Sequence, residues 1–121
     1  MRMKMMSDPA RYSRMTTAEV RETFLIDDLW KSDTLELVYT DLDRAIVGSA
    51  VPVNKKLSLG TARELASNFF CERREIGVIN IGARGNVTVD GKPHIMENRD
   101  GLYIGRGSRQ IDFDKIGRAH V

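Results

Sequence analysis

The side chains of this chain that are best suited to bind a metal ion lie between residues 69 and 114. Cys71 and Glu75 stand four positions apart, and a thiolate and a carboxylate are both good metal ligands. A catalytic metal centre needs at least three protein donors. Two further positions at suitable spacing hold Phe69, which has no donor atom, and Gln110, whose amide is a weak ligand. We therefore predict no bound metal, and we assign no catalytic, cofactor-binding or metal-binding residue in this chain.

The spacing of this stretch follows a recognisable pattern even though the ligands are missing. Seven residues at fixed intervals form two blocks: Phe69, Cys71, Glu75 and Gly82 in the first, and Gly107, Gln110 and Asp114 in the second. The intervals resemble the two cupin motifs, histidine-x-histidine-x3-glutamate-x6-glycine and glycine-x2-histidine-x3-asparagine. Three positions that are histidine in those motifs hold other residues here. The resemblance implies a β-barrel that lacks the usual metal chemistry.

A cluster of four charges, Glu72-Arg73-Arg74-Glu75, lies inside the first block. In an extended strand, Glu72 and Arg74 would share one face and Arg73 and Glu75 the other. One hypothesis is that an arginine fork here binds the carboxylate of an acidic sugar. The alternative, which we favour, is cross-strand or inter-subunit ion pairing on a barrel wall. The roles of these four residues are left open.

Other residues that could do chemistry have simpler explanations. Cys71 has no general base near it in sequence, so it is expected to be a small buried hydrophobe. His94 is not expected to be a ligand without other histidines. Residues 105–109, "GRGSR", have the composition of a phosphate loop but do not begin a helix, and are expected to form a turn. Tyr103 and Trp30 are expected to be core or rim aromatics.

The composition is that of one soluble globular domain, with 121 residues, 41% of them hydrophobic and 30% charged. Setting aside Arg2, Lys4 and Arg118 near the ends leaves 16 of the 19 basic residues against 17 acidic ones, so the body is nearly neutral and unlike a nucleic-acid-binding domain. A single cysteine excludes an internal disulfide and suits a reducing cytosol. No apolar run could cross a membrane, and the first residues lack the apolar stretch of a secretory signal. We expect a cytoplasmic protein with no nucleic-acid or membrane partner.

One short helix is predicted near the N-terminus, after a flexible tail at residues 1–15. Residues 15–25 have helical character, with Thr16 as the cap and Glu19 completing a capping box. From residue 35 onward, alternation and turn residues predict strands at 35–41, 44–53, 55–60, 76–82, 86–91, 92–96, 101–105 and 109–113. A hairpin connection is predicted at 83–85, and Asp90-Gly91 predicts a tight turn. Residues 62–68 are read as a helical turn or a loop.

Together these elements predict an all-β fold: a cupin-like antiparallel β-barrel or jelly roll with a short N-terminal helix. The predicted barrel spans residues 16–114. Residues 115–121 end in "IGRAHV", which one frame of a common sequencing adapter encodes, and Lys115 has a codon compatible with the adapter bases before it. We therefore expect a non-native tail at 115–121 and a natural sequence truncated near Asp114, and His120 is assigned no function.

Four blocks carry a more specific resemblance: "LDRAIVGSAVPV", "ERREIGVINIG", "VTVDG" and "RDGLYIGRGS". They resemble the N-terminal half of the 5-dehydro-4-deoxy-D-glucuronate isomerase family, also called 4-deoxy-L-threo-5-hexosulose-uronate ketol-isomerases, from about Thr17 to Asp114. The resemblance implies a bicupin chain roughly twice this length, assembled into a homohexamer. It also implies an aldose–ketose isomerase of pectin and uronate breakdown, which interconverts 5-dehydro-4-deoxy-D-glucuronate and 3-deoxy-D-glycero-2,5-hexodiulosonate.

In that family, zinc is held by three histidines and a glutamate of the second barrel, and none of those four positions exists in this chain. The resemblance therefore implies an N-terminal fragment that is inactive by itself and binds no cofactor. Two alternatives remain open. The chain could be a non-enzymatic cupin module with a sugar-sensing or structural role, or part of a related deoxyglucuronate isomerase of inositol catabolism.

Overall fold

The structure, a computed structural model, describes residues 1–61 and 65–115. Within these ranges, helices α1 and α2 span Pro9–Tyr12 and Thr17–Phe24. Strands β1 to β9 span Arg2–Lys4, Leu35–Thr40, Ile46–Ala50, Leu57–Ser58, Ile76–Ile79, Gly85–Val89, Lys92–Met96, Gly101–Ile104 and Ile111–Lys115. No helix in the described ranges has the length and apolar character needed to span a membrane. Strands in mostly antiparallel sheets dominate the chain, which confirms the all-β class and is consistent with the cupin-like prediction.

The chain divides into two compact units, each considered by itself. The first comprises Met1–Lys31 and Glu36–Ser49; the second comprises Ser32–Leu35 and the chain from Ala50 onward. The predicted domain begins at residue 16 and has no such division. The expected tail at 115–121 lies outside the described residues except for Lys115, which ends β9.

Helix α2 of the first unit begins as its sequence indicates. The Thr16 hydroxyl accepts a hydrogen bond from the Glu19 backbone N–H, and the Glu19 carboxylate accepts one from the Thr16 backbone N–H, both at 3.2 Å. This reciprocal pair satisfies two N–H groups that the helix itself cannot bond. The predicted capping box is confirmed, and the helix ends at Phe24, one residue before the predicted end.

The first fifteen residues carry secondary structure that the sequence patterns did not predict. Strand β1 pairs in parallel with β2, placing Arg2 opposite Val38, and the three-stranded sheet has the order β1-β2-β3. Helix α1 starts after Asp8, whose carboxylate accepts from the Arg11 backbone N–H at 2.7 Å. A three-residue strand has too little local pattern to be detected, because its stability depends on the strand that it pairs with.

The second unit contains a four-stranded antiparallel sheet, β4-β9-β6-β7, and a two-stranded sheet, β5-β8. Strands β6 and β7 are joined by Asp90 and Gly91, whose φ angles of 49° and 82° are both positive. Positive φ at both central residues is the requirement of a type I′ hairpin turn. The predicted tight turn is confirmed.

The hairpin predicted at 83–85 is wrong. Strands β5 and β6 belong to different sheets, so the chain crosses between sheets after Ile79 instead of folding back on itself. Asn80 explains this crossing, because its amide donates to the carbonyls of Ala83 at 2.9 Å and Met96 at 3.0 Å. The latter bond attaches the connection to β7.

The two faces of the four-stranded sheet differ in chemistry. One face presents apolar residues to the core of this unit, where the buried hydrophobic side chains are Leu57, Leu65, Phe70, Cys71, Val87, Met96, Ile104 and Ile111. On the other face, Ser58, Asp112 and Thr88 form a polar row across three strands, since Asp112 is opposite both of the others. Apolar and polar residues therefore alternate along each strand, which is the pattern from which these strands were predicted.

Candidate functional site

The two sequence blocks that suggested a metal site lie against each other. The backbone N–H of Gly107 donates to the carbonyl oxygen of Cys71 at 2.7 Å. The guanidinium of Arg109 lies 4.7 Å from the ring centroid of Phe69, within the range of a cation–π contact. The motif spacing therefore identified two segments that the fold brings together, although they are more than 30 residues apart.

None of the side chains at the positions that match the metal ligands of the cupin motifs is arranged to bind a metal ion. Phe69 contacts Arg109, and the Gln110 amide donates to the Asp112 carboxylate at 2.9 Å. Glu75 is exposed and accepts a hydrogen bond from the hydroxyl of Tyr103. Cys71 is fully buried. The described residues contain no group of three or more histidine, cysteine, aspartate or glutamate side chains that could bind a metal ion.

The family resemblance implies zinc only in the second barrel, and the donors at the positions described here do not fit a zinc ion. Burial raises the pKa of the Cys71 thiol, and the nearby Asp90 carboxylate raises it further, while Arg74 opposes them. Zinc binds the thiolate, so a thiol that resists deprotonation is a poor ligand. The same protonated, buried state makes Cys71 a poor nucleophile. That no metal is bound in this chain stays a prediction.

The four-charge cluster begins in a turn, and not in the extended strand for which the two-face arrangement was considered. Phe70–Glu72 form a 3-10 helical turn, and Arg73 follows with φ −129° and ψ 12°. The Glu72 carboxylate stabilises this turn by accepting a hydrogen bond from the Asn68 backbone N–H at 2.6 Å. Local side-chain-to-backbone bonds of this kind compete with strand formation.

The four charges nevertheless alternate in exposure. Glu72 and Arg74 are partly buried, whereas Arg73 and Glu75 are exposed. The predicted ion pairing on a barrel wall is not observed, because no salt bridge between described residues includes any of these four. Inter-subunit pairing stays a prediction. The two carboxylates instead accept hydrogen bonds from uncharged donors.

Arg74 is the member of the cluster with an unusual environment. Its guanidinium carbon lies 5.5 Å from the ring centroid of Phe70. Its Nε atom is buried and has no hydrogen-bond partner among the described residues. Buried polar atoms are almost always hydrogen-bonded, and each exception calls for a specific explanation.

A loop held by Asp90 frames this region. The Asp90 carboxylate accepts hydrogen bonds from the backbone N–H groups of Arg109 at 2.9 Å and Gln110 at 2.8 Å. Within the loop, Gly107 has a φ of +97°, and the backbone N–H of Ser108 donates to the carbonyl of Gly105. The turn predicted at 105–109 is confirmed.

Sequence reasoning missed the cluster on the polar face of the four-stranded sheet, where Asp112 lies opposite Ser58 and Thr88. Asp112 is 8% exposed and accepts hydrogen bonds from the Ser58 hydroxyl and the Gln110 amide. The hydrogen bond from Ser58 is the main cause of a lowered pKa for this carboxyl, with Gln110 and Lys56 contributing. Asp112, between the apolar residues Ile111 and Phe113, indicates that one face of this strand is polar. The sequence does not indicate which neighbouring strands would supply the hydrogen-bond partners of Asp112.

Three other singled-out residues have ordinary surroundings. His94 lies on β7 opposite Val87 and is partly buried. Tyr103 and Trp30 are 67% and 63% exposed, so neither belongs to the core. Tyr103 projects from the short β8 strand, and its hydroxyl donates to Glu75.

Comparison with known proteins gives consistent results. The chain is 45% identical over 116 residues to a 4-deoxy-L-threo-5-hexosulose-uronate ketol-isomerase of Lachnoclostridium phytofermentans, a match covering 96% of this chain and 42% of the relative. Isomerases of the same name from Formosa agariphila and Lachnospira eligens are 46% and 48% identical, over 88% and 80% of this chain and 38% and 35% of the relatives. This chain is homologous to part of a ketol-isomerase of that name. No protein-family profile matches it.

The chain spans about two-fifths of the length of these curated relatives. The predicted family resemblance is therefore confirmed, and the partial coverage is consistent with an N-terminal fragment of such an isomerase. The name of the relatives describes an intramolecular oxidoreductase, which is the enzyme class that the resemblance implied.

Proposed function

We propose that this chain is the N-terminal part of a zinc-dependent ketol-isomerase. The complete enzyme would convert 5-dehydro-4-deoxy-D-glucuronate into 3-deoxy-D-glycero-2,5-hexodiulosonate in the breakdown of pectin and other uronates. The observation that carries this proposal is the 45% identity across 96% of the chain to a ketol-isomerase of which it covers 42%. Identity at this level over nearly the whole chain supports a shared fold and a shared role in the enzyme.

In this proposal, the described residues do not perform the reaction by themselves. Isomerisation of a keto sugar moves a proton between adjacent carbons while the charge on the carbonyl oxygen is stabilised. Such a step needs a base and an electrophile near the same atoms. Here Cys71 is buried with a raised pKa, and Glu75 is held by Tyr103. The zinc would be bound by residues outside this chain.

In the complete enzyme, this chain would have a structural role. It would supply packing surface, subunit contacts in a cytoplasmic homohexamer, and part of the wall of the substrate pocket. The exposed apolar side chains Ile79, Ile81 and Tyr103 are consistent with a surface that is covered in the complete protein. A positively charged group in such a wall would hold the carboxylate of a uronate.

The proposal is tested by restoring the missing length. We would fuse residues 1–114 of this chain to the part of the Lachnoclostridium phytofermentans isomerase that lies beyond its match. The 121-residue chain and the relative itself serve as controls. Conversion of 5-dehydro-4-deoxy-D-glucuronate would be followed by NMR, and bound zinc would be measured by mass spectrometry.

We expect the fusion and the relative to hold about one zinc per chain and to be active, and the 121-residue chain to show neither property. A folded, zinc-loaded fusion without isomerase activity would contradict the proposed family role. Stoichiometric zinc on the 121-residue chain would contradict the conclusion that its own donors do not fit a metal.

A further inference from the structure

The outer face of the two-stranded β5-β8 sheet is apolar, although it meets solvent. Ile79 and Tyr103 lie on this face and are 72% and 67% exposed, whereas Ile104 on the opposite face is buried. An antiparallel sheet with one face in water normally places polar residues on that face. A pair of strands that is apolar on both faces is typical of a pair that is covered on both faces.

The pairing of β5 with β8 brings the exposed apolar side chains together. Ile79 lies opposite Gly101 and Tyr103 lies opposite Gly77, so each large side chain faces a glycine across the pair. Ile79 and Tyr103 are therefore diagonal neighbours on one face, about 7–8 Å apart. The two glycines carry no side chain that could shield either of them from solvent.

Ile81 extends this apolar face beyond the end of β5 and is 62% exposed. Hydrogen bonds fix the residues on both sides of it. The Asn80 amide donates to the Met96 carbonyl at 3.0 Å, and the Gly82 carbonyl accepts from the Asn98 amide at 2.9 Å. Ile79, Ile81 and Tyr103 are called the β5-β8 surface below. Because its backbone is already ordered, this surface loses little conformational entropy when a partner covers it.

The end of β9 lies close to this surface. Lys115 pairs with Gly85 on β6, and Gly85 pairs with Met96 on β7, so these three residues lie in a row across neighbouring strands. Neighbouring strands are about 4.8 Å apart, which places Lys115 about 10 Å from Met96. Asn80, whose amide bonds to the Met96 carbonyl, immediately precedes Ile81. A polypeptide that continues from β9 would therefore emerge beside the β5-β8 surface.

We propose that the β5-β8 surface is the docking site for the part of the isomerase that follows this chain. The inference rests on the proposed function, in which this chain is the N-terminal part of a longer protein. The match to the Lachnoclostridium phytofermentans isomerase covers 42% of that relative, so more than half of its length can supply the covering segment.

The connection of that segment to β9 favours it over a second copy of this chain. A covalently attached segment that starts beside the surface meets it at a high effective concentration, whereas a second copy must first associate. The contacting face of the segment would itself be apolar, because the gain from covering Ile79 and Ile81 comes from removing apolar area from water.

The test is cysteine labelling in the fusion of residues 1–114 to the remaining part of the relative. Ile79→Cys and Tyr103→Cys are each made in the 121-residue chain and in the fusion, and their rates of reaction with a maleimide are measured in native buffer. The natural Cys71 is fully buried, so its own reaction is slow. Leu42→Cys is the matched control, because Leu42 is also exposed but belongs to the first unit.

We expect Ile79→Cys and Tyr103→Cys to react at least about tenfold more slowly in the fusion than in the 121-residue chain, because a covered thiol reacts only when the contact opens. The rates of Leu42→Cys in the two proteins should agree within about twofold. The protection of Ile79→Cys should not change when the fusion is diluted, because the covering segment is attached to the same chain.

A second measurement applies if a cysteine variant does not fold, which circular dichroism would detect. Urea unfolding of Ile79→Lys then decides the question. A lysine in the covered surface must leave water, so the midpoint should fall in the fusion. In the 121-residue chain the same side chain stays in solvent, and the midpoint should not fall. An equal midpoint for Ile79→Lys and parent in the fusion would contradict the docking site.

Two labelling results would overturn the inference. The first is an equal rate for Ile79→Cys in the fusion and in the 121-residue chain. The second is protection that is lost when the fusion is diluted and its oligomers dissociate, because the surface would then be covered by a second copy. These outcomes are separate from those of the proposed function. A folded fusion that protects the surface without isomerase activity would refute the isomerase role alone, and an active fusion with an unprotected surface would refute the docking site alone.

Discussion

Replacing Gly48 by alanine would test the close approach of strands β2 and β3. Gly48 lies on β3, and a Cβ atom at this position would lie 2.6 Å from the Glu36 carbonyl oxygen and 2.6 Å from Leu37 Cδ2. The Leu37 side chain can rotate away from the added methyl group. The Glu36 oxygen belongs to the backbone of β2, so it can retreat only if the strands separate.

Two opposing effects determine how much Gly48→Ala changes the free energy of unfolding. Overpacking that displaces backbone costs about 1–3 kcal/mol. Alanine also restricts the unfolded chain, which favours the folded state by about 0.4–1 kcal/mol. Because the clash is with backbone, the first term dominates, and we expect Gly48→Ala to lower the free energy of unfolding by about 1–2 kcal/mol.

Urea unfolding followed by circular dichroism would measure this loss as a lower midpoint at an unchanged slope. Gly77→Ala is the matched control, because Gly77 also lies in a strand and a Cβ atom there would meet no heavy atom within 4 Å. Its midpoint should stay the same or rise slightly. A Gly48→Ala variant as stable as the parent would refute the inferred contact between the strands.

Three further predictions concern charge, reactivity and association. The backbone N–H groups of Asn54, Val53 and Lys55 and the Asn54 amide lower the pKa of Asp33 to about 2 from an ordinary value of 3.8. The stabilisation is therefore complete above pH 3.8 and is lost as the pH falls through about 2. The stability advantage of the parent over Asp33→Asn should shrink across that interval; a constant difference would contradict this. Because burial raises the pKa of the Cys71 thiol, alkylation at pH 8 should be slow in native buffer and fast in urea. Rapid native labelling would show that the thiol is accessible. Ile79 is 72% exposed, so we expect Ile79→Lys to reduce self-association of the chain, measured by sedimentation velocity. A parent chain that stays monomeric at high concentration would show that this exposed apolar side chain does not drive association.

The elements that could be predicted from sequence are those with local causes. The capping box of Thr16 and Glu19 depends on residues three positions apart, and the turn at Asp90 and Gly91 depends on two residues that tolerate positive φ. The strand at residues 92–96 was predicted with its observed bounds, since it begins at this turn. Such signals keep their meaning wherever the segment lies in the fold.

The elements that were missed depend on distant partners. Strand β1 exists because Arg2–Lys4 pair with β2, more than 30 residues away. The connection after β5 does not form a hairpin because the Asn80 amide bonds to Met96 on β7. Phe70–Glu72 form a turn that Glu72 stabilises, where the charge pattern of residues 72–75 would also suit an extended strand. Alternating charge is compatible with either conformation, so pattern alone could not decide between them.

The sequence by itself determined the all-β class, the kinship with the ketol-isomerases and the lack of a full set of metal ligands between residues 69 and 114. These conclusions follow from residue types, spacing and ordered blocks, which need no coordinates. Only the tertiary structure decided that Glu72 and Glu75 accept hydrogen bonds from other residues, and that the Arg74 guanidinium lies over the Phe70 ring with a buried Nε atom that has no partner among the described residues. The reason is physical: burial and hydrogen-bond partners are set by which segments pack together, and a linear pattern of charges does not contain that information.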